Sequence, residues 1–199
     1  MSLELLNTFG TLTTVAIIAA TAIAALVQLR HLRAGNQISA MLSIGNQFAD
    51  KEFRDGLFIV LQKLRSAMAD PAYRSYLVAV IRSQGVPTVT QEHRDIADAA
   101  RLVGNSYEEL GILVKNGIVD RKIFLDRYCV VILRVWRCME PVVAWTREVV
   151  GSDAIWENFE YLAVISEDFI RDNVSNYPKG VRRLQLRNPW PAPQPASTA

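Results

Sequence analysis

The stretch Val15-Ala16-Ile17-Ile18-Ala19-Ala20-Thr21-Ala22-Ile23-Ala24-Ala25-Leu26-Val27 decides the fold. It holds no charge and no proline, and its one polar side chain is Thr21. Widening the frame, the 25 residues from Leu5 to Leu29 carry no formal charge. As a helix they rise roughly 37 Å, enough to cross a hydrocarbon layer of about 30 Å. A helix resting on a soluble core repeats polar residues at a 3.6 period, and this run does not. Length and flanks favour a transmembrane anchor. Two other readings use the same residues. Ala22-Ile23-Ala24 resembles a signal-peptide cleavage site, although no Lys or Arg precedes the run. A core helix buried in a soluble protein is the third reading.

The flanks set an orientation. Arg30, His31 and Arg33 follow the run at once, and Glu4 is the one charged side chain before it. Positive residues stay cytoplasmic, so the N-terminus is expected outside and residues 30–199 in the cytosol. Cys129 and Cys138 are nine residues apart, on opposite sides of one helix, and two such unbridged thiols suit a reducing compartment. Ala16, Ala20 and Ala24 form a small-residue stripe through which two such helices can pair. Homo-oligomerisation there is an expectation, as is a generic alanine-rich span.

Composition bounds the rest. Half of the 199 residues are hydrophobic and 21% are charged, which excludes a disordered chain, a collagen and a disulfide-rich miniprotein. Twenty-two basic and 20 acidic residues leave a net charge of +2, too balanced to indicate a nucleic-acid partner. The chain divides into an apolar anchor with basic juxtamembrane residues (1–34), a mildly acidic body (35–172) and a basic, proline-rich tail (173–199).

The body is expected to be all-α: an antiparallel bundle of about five helices following the anchor. The anchor helix should run on past Gly35, where it could bend. Asp50 to Met68 carries the stripe Phe53, Leu57, Val60, Leu61, Leu64. Asp70-Pro71 starts a third helix that stops near Gly85. After a loop at 85–90, Thr88 and Gln91 fit a capping box for the fourth helix, which ends at Asn116-Gly117. Asp120 caps a fifth over 121–149, which Pro141 should kink or split. Ser152 or Asp153 caps a sixth through about Ile170. The tail should be extended or disordered.

Two segments carry a resemblance. They are Asn105-Ser-Tyr-Glu-Glu-Leu-Gly-Ile-Leu-Val-Lys-Asn-Gly-Ile-Val-Asp120 and Trp156-Glu-Asn-Phe-Glu-Tyr-Leu-Ala163. With the head Ala22 to Arg33, they resemble a bacterial family known only as a domain of unknown function. The resemblance implies one N-terminal membrane helix and a helical cytosolic domain. It implies no reaction and no catalytic residue.

Motifs for chemistry are missing from the sequence. His31 and His93 have no ligand partners at metal-site spacing, and there is no Cys-x-x-Cys or Glu-x-x-His. No phosphate-binding glycine loop or nucleophile elbow occurs. No catalytic residue, cofactor site or metal site is therefore assigned. The remaining candidates are charges set in apolar helices: Arg101, Asn105, Glu108, Glu109, Arg134, Arg137, Glu157 and Glu160. They read either as inter-helix ion pairs, which is favoured, or as a pocket for an anionic ligand or partner. Arg30, Arg33, Lys179, Arg182, Arg183 and Arg187 are expected lipid contacts. The leading functional reading is a single-pass protein of the bacterial inner membrane whose cytosolic domain binds a protein partner. Alternatives are a membrane-tethered sensor or enzyme using the Arg/Glu cluster, and a soluble oligomer that buries its first helix.

Overall fold

The computed structural model describes residues 3–85, 87–172, 177–178 and 180–187. Six helices and no strand occur among them: α1 (Leu3–Ala49), α2 (Lys51–Ala69), α3 (Pro71–Ile81), α4 (Gln91–Lys115), α5 (Arg121–Val150) and α6 (Glu157–Asp172). The chain is thus one long apolar helix followed by a bundle of five.

α1 is one continuous helix of 47 residues, unbroken at Gly35. None of its most apolar window is buried. Packing begins only near its C-terminal end, where Ile44 is buried and Ala40, Met41 and Phe48 lean on the core. Asp50 then breaks the helix and caps the next, its carboxylate accepting the amides of Glu52 and Phe53.

The bundle follows the apolar stripes. Phe53, Val60 and Leu64 of α2 meet Ile96, Ala99 and Val103 of α4 in one core. Lys63 reaches Glu92 while Gly56 lies against Leu102, so α2 and α4 run antiparallel. Phe159 packs edge-on against Trp136, and Asp172 shares a cleft with Arg121, so α5 and α6 are antiparallel too. An aromatic cluster of Phe48, Phe53, Tyr107, Tyr128 and Phe159 ties the foot of α1 to α2, α4, α5 and α6.

Several boundaries differ from the sequence pattern. The α4 cap is Thr90, whose hydroxyl accepts from the His93 amide at 3.2 Å, and not Thr88. α3 stops at Ile81, and Ser83 adopts φ 51° just beyond it. α5 continues through Pro141 as one helix, because the ring lies on an exposed face where a lost backbone bond costs least. α6 starts at Glu157, three or four residues later than an Asp153 or Ser152 cap would place it. Trp156, at φ 52°, is left-handed and delays the helix. Beyond the bundle, residues 180–187 are exposed and irregular; Arg183 lies over the Tyr177 ring at 4.8 Å. Lys179 and residues 188–199 lie outside the described residues.

Candidate functional site

The charged candidates do not converge on one pocket. Arg134 and Arg137 stand on the outer face of α5, and neither joins an ion pair among the described residues. Glu109 and Glu157 are exposed as well. Arg101 pairs with Asp98 on its own helix at 2.7 Å. Arg101, Asn105 and Glu109 do share the wall of a broad groove of about 1090 Å³ between α2 and α4. Arg30, Arg33, Arg182, Arg183 and Arg187 are exposed.

Glu108 and Glu160 instead hold helices together, with partners that the sequence pattern did not single out. Gly104 and Gly111, seven residues apart, clear one face of α4. A Cβ on Gly111 would lie 2.2 Å from the Asn158 carbonyl oxygen, and one on Gly104 would lie 2.6 Å from the Trp156 ring. The N-terminus of α6 therefore sits directly on α4. A helix start leaves amide donors unpaired, and burial makes them costly. Glu108 satisfies two of them: its Oε2 accepts the Asn158 and Phe159 amides, both at 3.0 Å. Its Oε1 accepts the Asn158 side-chain amide at 2.6 Å. A carboxylate at a helix N-terminus also opposes the positive end of the helix dipole.

Neighbours complete this clasp. Trp156 Nε1 donates to Asn105 Oδ1 at 3.0 Å, and Lys115 Nζ donates to Asn158 Oδ1 at 3.2 Å. Tyr107 stacks on Phe159 at 4.6 Å. On the other side, Arg147 donates Nε to the Ile155 carbonyl and Nη1 to Glu160 at 2.7 Å. Burial raises the Tyr107 phenol well above its ordinary value, and its hydroxyl has no hydrogen-bond partner among the described residues. The arrangement fixes where α6 begins. It fills the α6 N-terminus with a side chain of the protein itself, so that end is closed to an external anion.

Both arms of the clasp lie within residues 15–166, which match the model of the family described as Domain of unknown function (DUF4760). The chain belongs to that family. The DUF4760 match starts inside the apolar run and ends in α6, leaving out the tail. No curated protein and no solved structure matches the chain.

The two cysteines and the histidines are placed as follows. Cys129 is buried and Cys138 half-buried; both are free, and burial raises the Cys129 thiol. His31 is exposed on α1. His93 Nε2 lies 3.5 Å from Asp70 Oδ2 and its ring packs on Tyr73. Among the described residues no three His, Cys, Asp or Glu side chains converge as a metal cage.

Proposed function

We propose that this protein is a single-pass anchor of the bacterial inner membrane, with its N-terminus outside and its helical domain in the cytosol. The observation that carries the reading is the uncovered half of α1. Leu12, Val15, Ile17, Ile18, Ile23, Leu26, Leu29 and Leu32 are each 58–64% exposed. Fully burying such a side chain is worth about 1.5–3 kcal/mol. Leaving eight of them in water forgoes on the order of 10 kcal/mol, as much as a whole domain's stability. A bilayer supplies that burial over the required length. Arg30 and Arg33, exposed just beyond Leu29, support the orientation.

The cytosolic domain acts by contact with a protein partner, and Ala16, Ala20 and Ala24 offer a face for a second copy. The distribution of charge supports contact over chemistry, since Arg134 and Arg137 stand apart from Glu108 and Glu160. The test is carbonate extraction of full-length protein with protease access from each side. Retention, with the body digested only from the cytosolic side, is the expected result. Release into buffer overturns the anchor and points to a soluble oligomer covering α1. In-membrane cross-linking that finds only monomer removes the alanine-face contact.

A further inference from the structure

The turn between α4 and α5, Lys115-Asn116-Gly117-Ile118-Val119-Asp120-Arg121-Lys122-Ile123, is pinned at several points. Gly117, at φ 66°, reverses the chain, and the Ile118 amide donates to the Leu113 carbonyl at 3.0 Å. Val119 is fully buried. The Asp120 carboxylate caps α5 by accepting the Ile123 amide at 2.9 Å. This pinning turns two large apolar side chains outward: Ile118 is 48% exposed and Ile123 59%. Arg121 and Lys122 are exposed beside them. Lys115 is held by Asn158 in the clasp, and Asp120 is committed to the cap. Asp168 and Asp172, in the cleft beside Arg121 and Lys122, pair with Arg171.

The turn lies at the end of the bundle that faces the apolar half of α1. Asp120, Ile123 and Arg127 share a groove with Ala34, Gln37, Ile38 and Met41. The Tyr128 ring packs on Phe48 at 4.9 Å, so α5 rises beside the foot of α1 and its start points back toward the span. Ala34 is five residues past Leu29, a rise of about 7.5 Å. The headgroup layer is itself about 5–8 Å thick on each side. A span tilted by about 20° or more lowers one side of the bundle onto it. Ile38 and Leu42, 62% and 64% exposed, carry the apolar surface from the span toward the turn.

We infer that the α4–α5 turn is a second membrane contact, in which Arg121 and Lys122 meet anionic headgroups and Ile118 and Ile123 enter the interface. The inference rests on residues 5–29 being the anchor. Two exposed cations beside a small apolar tip suit an anionic bilayer and repel the same tip of a second copy. The contact converts an anchor free to swivel into one that holds the bundle at a set tilt.

The test places a benzophenone amino acid at Ile18, Ile118 or Phe58 of the full chain, reconstituted in equimolar phosphatidylcholine and phosphatidylglycerol. Phe58 is 64% exposed on α2 and serves as the distal control. Lipid adducts are expected at 18 and 118 and not at 58. Each cation contributes about five-fold to the contact. The combined Arg121→Gln and Lys122→Gln change should therefore cut the adduct at 118 at least about five-fold. Pure phosphatidylcholine should do the same, and the adduct at 18 should persist in both cases. No adduct at 18 overturns the anchor reading and this inference with it. An adduct at 18 but none at 118 overturns this inference alone. So does an adduct at 118 that ignores the charge changes, one matched at 58, or one made to protein instead of lipid.

Discussion

Gly111→Ala tests the clasp most directly. In an ordinary helix this change stabilises by about 1 kcal/mol, because glycine loses more backbone freedom on folding. Here the new Cβ would lie 2.2 Å from the Asn158 carbonyl oxygen and 2.6 Å from its carbonyl carbon. Both are backbone atoms, so no side-chain rotation relieves the overlap. Restoring a contact of 3.4 Å moves the start of α6 back by about 1.2 Å. The Glu108 bonds to the Asn158 and Phe159 amides, now 3.0 Å each, would stretch beyond hydrogen-bond range. Overpacking costs about 1–3 kcal/mol and a lost cap about 1–2 kcal/mol. Against the propensity gain, the net loss is about 1–4 kcal/mol, and its midpoint lowers Tm by roughly 5–10 °C for a chain of this size.

Gly56→Ala is the matched control. Its Cβ would meet Leu102 Cδ2 at 3.4 Å and Ala99 at 3.8 Å, which is ordinary contact. The propensity gain then survives, and Tm should rise by about 2–4 °C. Far-ultraviolet circular dichroism melts of the detergent-solubilised full chain read both variants under one protocol. A Gly111→Ala protein as stable as the parent would refute the clasp, and a Gly56→Ala protein that loses as much would refute the reasoning that separates them.

Four further expectations rest on the same geometry. Glu108→Ala strands the Asn158 and Phe159 amides and should cost about 2–3 kcal/mol in denaturant titration, with Glu108→Gln, which keeps one acceptor, losing less; the reverse order contradicts the cap. Arg134→Glu and Arg137→Glu, both on the outer face of α5 and outside any ion pair among the described residues, should change stability by no more than about 0.5 kcal/mol; a larger loss means a buried pairing. Cys129 should react with a thiol reagent only as fast as the fold opens, while Cys138 reacts earlier, which mass spectrometry of timed samples can check. Burial raises the Tyr73 and Tyr107 phenols above the ordinary value of 10.0. Their contribution to stability is full below pH 10 and is lost above it, so ultraviolet titration should show these phenolates appearing only with alkaline unfolding.

The fold was legible where one helix signals itself. Asp50, Asp70 and Asp120 each cap the helix they precede, and Gly117 and Gly151 end theirs with φ of 66° and 72°. The buried positions of α4, from Ile96 to Val114, follow the periodic stripe. The clasp was harder to read because its partners are far apart in the chain. Glu108 bonds residues 50 and 51 positions away, and no local pattern marks a cap supplied by another helix. Ser152 and Asp153 offered a local cap that lost to this distant one. The signal that was present is the pair Gly104 and Gly111 inside a strong helical pattern, which marks a close approach. Arg134 and Arg137 drew attention because they interrupt an apolar run, yet the run wraps around α5 and leaves them outside. Arg147, in the last turn, is the one that faces α6.

α1 ties these observations together. It is one helix whose surroundings change part-way along: Leu12 to Leu32 present their large apolar side chains uncovered, while Ile44 is fully packed. Gly35 lies between the two regimes in open space, with no neighbour within 4 Å of where a side-chain methyl would stand, and the helix still passes it unbroken. A continuous helix transmits angle as well as position. If α1 is anchored as proposed, a tilt imposed on its first half would be handed to the aromatic cluster around Phe48, and through Tyr107 and Phe159 to the clasp. On the proposed anchor, one continuous helix would then link the span to the place where α6 begins.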